Sequence, residues 1–408
     1  MTHDFFQSLE VCGATFSNHW KKSAAILVAA IAISGRAASI DTFNYAVGTQ
    51  TFDPVYQFTT NSRLVETAEA IRDMGANVIK FKLGHDYFGK RGNVAEKNPA
   101  IHSLTELVRD EPSHRRVLDM PFANYVVWAY SFADHDWHHG FKKEFAEAEY
   151  REIYDLTKYL LTKFSGTGKS FYLGHWEGDW WLRGFDSDKN IGPDGRATPD
   201  AIQGMIDWLN TRQRAIEDAK RDTPHERVNV WQYTEVNLVK RAMQGAKTIC
   251  NDVLSKTSVD FVSYSSYDTA SNPKELREAL DFIESKLPAK KGITGKRVFI
   301  GEYGFPAIWN SPQEQDAKSR AVILTALDWG CPFVLYWEMY CNELDDRGKQ
   351  RGFWLIDDKN QKVPAYFMHQ QFLTWAKKFV TGSNRTPAFD EYRKAAVEFL
   401  DVKKEPAR

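Results

Sequence analysis

Two glutamates in this sequence of 408 residues stand in closely similar surroundings. Glu177 lies in Phe171-Tyr-Leu-Gly-His-Trp-Glu177-Gly-Asp-Trp-Trp181, and Glu302 lies in Val298-Phe-Ile-Gly-Glu302-Tyr-Gly-Phe-Pro306. Each follows an apolar, strand-like run and is flanked by glycine and aromatic residues. Two carboxyls delivered to one place suit cleavage of a glycosidic bond: one protonates the leaving oxygen while the other attacks or stabilises the anomeric carbon. Such chemistry needs no cofactor. Asp179 and Glu235 are competitors on neighbouring segments, and Glu235, in Trp231-Gln-Tyr-Thr-Glu235-Val-Asn237, reads as a substrate contact or a buried partner.

The elements that must hold these groups are legible in the hydrophobic pattern. Eight apolar runs are expected to be strands, at 46–52, 76–83, 125–130, 171–176, 228–233, 260–264, 297–302 and 332–337. They are rich in Val, Ile, Phe and Tyr without strict alternation, as strands buried on both faces are. Helix punctuation lies between them. Thr198-Pro199 and Asn272-Pro273 each pair an N-cap with proline at the first helical position, and Ser311-Pro-Gln-Glu314 is a capping box opening a helix that closes at Gly330. Eight strand–helix units argue for a single (β/α)8 TIM barrel of α/β class, whose active site lies on the loops after the strand C-termini. Glu177 would follow the fourth strand, and Glu302 would end the seventh.

At this point the chain resembles the cellulase-like retaining glycoside hydrolases of clan A, as a divergent member. The resemblance covers nearly all of the chain beyond its leader. It implies that Glu302 is the nucleophile and Glu177 the acid/base, that Trp337 in Val334-Leu-Tyr-Trp337-Glu-Met-Tyr340 lies under the reacting sugar, and that Tyr267 hydrogen-bonds the nucleophile. Two positions depart from the pattern. Trp176 stands where the clan usually has an asparagine that contacts the sugar 2-hydroxyl. The second strand, Val78-Ile-Lys-Phe-Lys-Leu83, offers only Lys80 and Lys82 in place of an arginine, whose bidentate fork a lysine cannot copy. The sugar in the central subsite is therefore expected to lack a free 2-hydroxyl or to be recognised there by another group.

Tryptophans 128, 137, 176, 180, 181, 309 and 337 fall at or beyond strand ends, which favours a saccharide cleft. Further substrate contacts are expected from Trp128, Trp176, Asp179, Trp180, Asn237, Glu338, Lys82, Asp86 and His135. Asp134-His-Asp-Trp-His-His139 could ligate a transition metal, but no His-x-His follows the first strand, and hydrogen bonding to sugar hydroxyls is the better reading. Residues 186–194 space oxygens like the start of a calcium loop without glycine at its sixth position or glutamate at its twelfth, and read as a solvated turn.

Composition bounds the rest. With 43% hydrophobic and 14% aromatic residues the chain can fill one large core, and no repeat or linker divides it. A net charge of −1 from 53 basic and 54 acidic residues, without like-charge blocks, leaves no footprint for nucleic acid. Lys21-Lys22 precede an apolar run at 24–33 and small residues at 34–39, so residues 1–38 read as a secretory signal and 39–408 as a secreted or periplasmic catalytic domain. The run is too short to span a bilayer. Cys250, Cys331 and Cys341 read as packing residues rather than a disulfide framework. Two rival functions share the same architecture, a non-catalytic polysaccharide-binding barrel and a transglycosylase.

Overall fold

The computed structural model describes residues 40–89, 92, 94–133, 136–184 and 195–402. The leader at 1–38, His135 and the acidic turn at 186–194 lie outside these residues. Eight parallel strands close into a barrel in sequence order: β1 (Val47–Gln50), β2 (Val78–Leu83), β3 (Asn124–Ala129), β4 (Ser170–Gly174), β5 (Asn229–Val236), β6 (Phe261–Ser265), β7 (Val298–Tyr303) and β8 (Val334–Tyr336). Val47 pairs with Val334 across the closing seam. The (β/α)8 expectation holds. Among the described residues no helix is long and apolar enough to cross a membrane.

The helices start and stop where capping chemistry requires. Thr198 and Asn272 accept hydrogen bonds from the first-turn amides of Pro199–Asp222 and Pro273–Ser285. Ser311 and Glu314 form a reciprocal capping box, and Gly330 closes Pro312–Trp329 at φ 110°, a left-handed angle that glycine adopts without penalty. Cys250, Cys331 and Cys341 are buried and unbridged.

Strand ends fall within three residues of expectation, and the shifts of two of them bear on the site. β4 stops at Gly174, so Trp176 and Glu177 stand clear of the sheet, while β5 runs on through Thr234, Glu235 and Val236 in register with β6. A charge inside a buried strand normally argues for its end. Here Glu235 meets a lysine from β2, and the ladder continues past it.

Packing separates two cores. The larger lies between strands and helices, and the smaller fills the barrel with inward residues such as Val78, Val126, Tyr172, Tyr233, Phe261, Phe299 and Leu335. Toward the C-terminal end of the strands this interior changes from apolar to ionic.

Candidate active site

Alternation alone would turn Glu302 away from the barrel. Phe299 faces the interior while Val298 and Ile300 face the helices, so strict period-two phasing would send residue 302 outward as well. The pairing of β7 shifts on both sides between Ile300 and Tyr303: Tyr264 pairs with Ile300, but Ser265 pairs with Glu302. This irregularity re-phases the strand, so Glu302 enters the barrel mouth and Tyr303 joins the outer core. Gly301 makes the turn possible. A Cβ there would meet Ser263 Oγ at 1.8 Å and Glu235 Oε2 at 3.1 Å. Gly301→Ala should therefore drive Ser263 and Glu235 apart and reduce activity at least a hundredfold, measured beside circular dichroism as a check on folding. Near-normal turnover in a folded variant would show that this close approach is unnecessary.

Inside the mouth, two glutamates share one lysine, with Glu177 close by. Lys80 Nζ, fully buried, donates to Glu235 Oε2 at 2.8 Å, Glu302 Oε1 at 3.1 Å and the Gly301 carbonyl at 3.2 Å, which uses all three of its hydrogens. The ammonium also lies 4.7 Å from the centre of a Trp128 ring. Glu235 Oε2 additionally accepts from Ser263 Oγ at 2.6 Å, and its Oε1 accepts from the Glu177 backbone N–H at 3.0 Å. Ser265 Oγ lies 2.5 Å from Glu177 Oε1 and 3.4 Å from Glu302 Oε2, so the nearest oxygens of the two carboxyls are at most about 6 Å apart, the sum of those legs.

Electrostatics distinguish the two acids. Burial lifts the Glu177 carboxyl from its ordinary value to about 7; the Ser265 hydrogen bond opposes this, the Glu235 charge reinforces it, and Lys80 and Trp180 oppose it more weakly. Burial also pushes Glu302 well above the usual carboxylate range, with Lys80 the chief opposing influence and Glu235 and Glu177 adding to the rise. One ammonium cannot offset three buried carboxylates, so at neutral pH the cluster favours keeping a proton. Glu302 has direct contact with that ammonium, and Glu177 has none.

The expected contacts fall into three groups. Trp128, Trp176, Trp180, Asn237, Tyr267, Trp337 and Lys82 line a cavity of about 1050 Å³ over the glutamates. Trp337 forms part of its wall and donates through Nε1 to Glu343 at 3.0 Å. Lys82 sits at the mouth between Asp53 and Asp86, each at 2.9 Å, and Asp86 is exposed beside the cleft. Tyr267 is 39% exposed and stands edge-on to Phe353, without a hydrogen bond to Glu302; Ser265 makes the contact expected of it.

Three other carboxylates of the site lie deep in the wall. Glu235 is completely buried with both oxygens engaged, so it is a partner of Lys80 rather than a substrate contact. Asp179, also completely buried, accepts from the backbone amides of Asn237, Leu238 and Ile249 and ties the segment after β4 to that after β5. Glu338 is equally closed off, accepting from the amides of Phe52 and Asn342. In each case backbone or side-chain donors deep in the wall satisfy the carboxylate and leave no side open to a ligand. Trp137 likewise belongs to the outer core, stacked on His138 and Trp208, while Trp309 stands 70% exposed at the cavity rim.

No family model matches the sequence, and no curated protein matches it. Solved structures do match. A GH5_18 protein from Bifidobacterium longum subsp. infantis superposes with a TM-score of 0.54 at 12% identity, over 80% of this chain and 79% of its own. A GH5_18 variant from Bifidobacterium longum subsp. longum in complex with Manβ1-4GlcNAc gives 0.54 at 13% identity, over 84% and 79%. A third, from Streptomyces cattleya with the same ligand, gives 0.51 at 11%, over 84% and 86%. This chain has the fold of the clan A glycoside hydrolases.

Within that fold, Lys80, Ser263, Ser265 and Gly301 carry much of the site, and sequence reasoning did not single them out as site residues. A signal was present. Ser263 and Ser265 lie two apart on one face of β6, and small polar residues pointing into a barrel need polar neighbours.

Proposed function

We propose that this chain is a retaining glycoside hydrolase of poly- or oligosaccharides in which Glu302 attacks the anomeric carbon and Glu177 serves as acid and then base. The observation that carries this reading is the Ser265 hydroxyl shared by the two carboxyls. A separation of at most about 6 Å between nearest oxygens suits the roughly 5–5.5 Å of retaining enzymes and is short for the roughly 6.5–9.5 Å of inverting ones. Glu177 protonates the glycosidic oxygen as Glu302 forms the glycosyl ester. The Glu177 carboxylate then takes a proton from water, which releases the sugar with its starting configuration. Lys80 holds negative charge on Glu302 for attack, and the aromatic walls present flat faces to sugar C–H groups. The leader-like residues 1–38 make this an exported enzyme. Trp176 lines the cavity where the clan's asparagine would meet a 2-hydroxyl, which supports a central sugar without that group free or one recognised there through other contacts.

The test combines stereochemistry and rescue. Proton NMR of early hydrolysis should show the first-formed anomer with the configuration of the substrate. Glu177→Ala should lose activity on poor leaving groups and regain it with azide, yielding a glycosyl azide of retained configuration. In the parent protein, kcat/KM should fall as pH rises through about 7, because a Glu177 titrating there loses the proton it must donate. An inverted product excludes the double displacement. Binding of polysaccharide without release of reducing ends by the parent protein would make the barrel a binding module instead.

A further inference from the structure

Ser265 has one hydroxyl hydrogen and two carboxyls to give it to. The residue is completely buried at the end of β6, with Glu177 Oε1 at 2.5 Å and Glu302 Oε2 at 3.4 Å from its Oγ. Lys80 Nζ occupies the other oxygen of Glu302, Oε1, at 3.1 Å, which leaves Oε2 to face the serine. Lys80 on β2 and Glu235 on β5 are the charged groups that act on both carboxyls, and Trp180 gives Glu177 a neutral donor. Tyr233 and Tyr267, which feel the same charges, are phenols that stay neutral below about pH 9. Among the described residues, Ser265 is the side chain within hydrogen-bond distance of both carboxyls.

A hydrogen bond to an ionised acceptor is roughly twice as strong as one to a neutral acceptor, so a shared hydroxyl turns toward whichever oxygen carries the charge. In a double displacement that charge moves. Before attack Glu302 is the carboxylate and Glu177 the acid. Afterwards Glu302 is a neutral glycosyl ester, and Glu177, having given its proton to the leaving oxygen, is the carboxylate. Hydrolysis of the ester returns both to their starting states. Lys80 cannot follow this exchange, because its ammonium is fixed between Glu302, Glu235 and the Gly301 carbonyl. A hydroxyl needs only to rotate about its Cβ–Oγ bond.

We propose that the Ser265 hydroxyl follows the charge between the two carboxyls, donating to Glu302 before attack and to Glu177 while the glycosyl ester stands, so that one hydrogen serves both half-reactions. Ser265 forms and breaks no covalent bond in this role and keeps its proton throughout. It is a positioning residue that acts through the two glutamates. The inference rests on the glycoside hydrolase reading for the order of events, whereas the competition of two carboxylates for one hydrogen belongs to the free protein and is measured there.

The test is a double-mutant cycle read without substrate. Carboxyl-carbon NMR of protein labelled with 13C-glutamate follows the titration of Glu177, whose signal is assigned by its disappearance in Glu177→Gln. Ser265→Ala removes a donor to that carboxylate and should raise its pKa. In Glu302→Gln no second carboxylate competes, so there the rise should reach the full worth of a hydrogen bond to a charged acceptor, about tenfold to a hundredfold in the dissociation constant. In the parent, where ionised Glu302 claims part of the hydrogen, the same substitution should have an effect about threefold smaller or less. Ser263→Ala is the control: its hydroxyl donates to Glu235, and its loss should shift Glu177 equally in both backgrounds. Ser265→Cys, a far weaker donor of similar volume, takes the place of an alanine variant that does not fold. Equal shifts from Ser265→Ala in the two backgrounds, or none in either, would overturn the proposal. So would a Ser263→Ala shift that differs between them, because the difference would then come from the field of the whole cluster. On any neutral gluco-, manno- or chito-oligosaccharide that the parent cleaves, Ser265→Ala should lower kcat/KM about tenfold or more and move its basic limb to higher pH; an unmoved limb would also overturn it. A parent that cleaves nothing, with the cycle as expected, would instead overturn the hydrolase reading and leave the shared hydroxyl standing.

Discussion

Glu302→Gln is expected to lose about five orders of magnitude in turnover, close to what removal of an enzyme nucleophile costs elsewhere and equivalent to about 7 kcal/mol of barrier. Glutamine keeps the shape of the side chain, and its carbonyl can still accept from Lys80, so the loss would report the missing nucleophilic oxygen rather than a collapsed pocket. Stability should move the other way. Burial holds the Glu302 carboxyl well above its ordinary value, so the folded state retains a proton that the unfolded chain gives up above about pH 4.3. Between those two values the unfolded state binds fewer protons than the folded one, and stability falls as pH rises. Glutamine cannot ionise and escapes that loss. The Tm of Glu302→Gln should therefore match the parent near pH 4 and exceed it by several degrees at pH 7 to 8, followed by thermal melts across that range. Turnover within tenfold of the parent would remove Glu302 from the mechanism. A Tm below the parent at every pH would mean that the ionised carboxylate holds the mouth together.

What could be read from sequence and what could not differ for physical reasons. The barrel was legible because eight apolar runs and the caps at Thr198, Asn272 and Ser311 each depend on local chemistry that the flanking residues display. Glu177 and Glu302 stood out for the same reason, as glutamates beside glycine at strand ends. The inward turn of Glu302 did not, since it depends on a pairing shift that period-two reasoning would deny, and that shift sets Gly301 against Ser263 of the neighbouring strand. For Asp179 and Glu338, and for Glu235 as one of its two readings, a carboxylate near a mouth looks available to substrate until its donors are known. Those donors are mostly backbone amides, which every residue has and no sequence marks: Asn237, Leu238 and Ile249 for Asp179, and Phe52 and Asn342 for Glu338. In the sequence, Lys80 stands out only as an ammonium that cannot copy a guanidinium fork. It has no need to, because its three hydrogens find three acceptors on β5 and β7.

That arrangement makes Lys80→Met the second decisive variant. Methionine fills similar volume without charge, so Glu235 and Glu302 would face each other across an apolar side chain. Breaking a buried ion pair by removing one partner costs about 3–5 kcal/mol when the other stays charged, and a carboxyl can relieve part of that cost by taking up a proton. Lys80 is the main influence holding the Glu302 carboxyl down against burial, so its loss shifts Glu302 further toward the protonated form. An attacking carboxylate must be ionised, and the acid limb of kcat/KM should accordingly move to higher pH. Glu177 sets the other limb near pH 7 and feels Lys80 less, so the bell should narrow from its acidic side while kcat/KM at pH 6 falls at least a hundredfold. A variant that is merely unstable would lose amplitude at all pH values without shifting the limb. An unmoved acid limb in folded Lys80→Met protein would show that the charge on Glu302 is maintained by something other than the lysine.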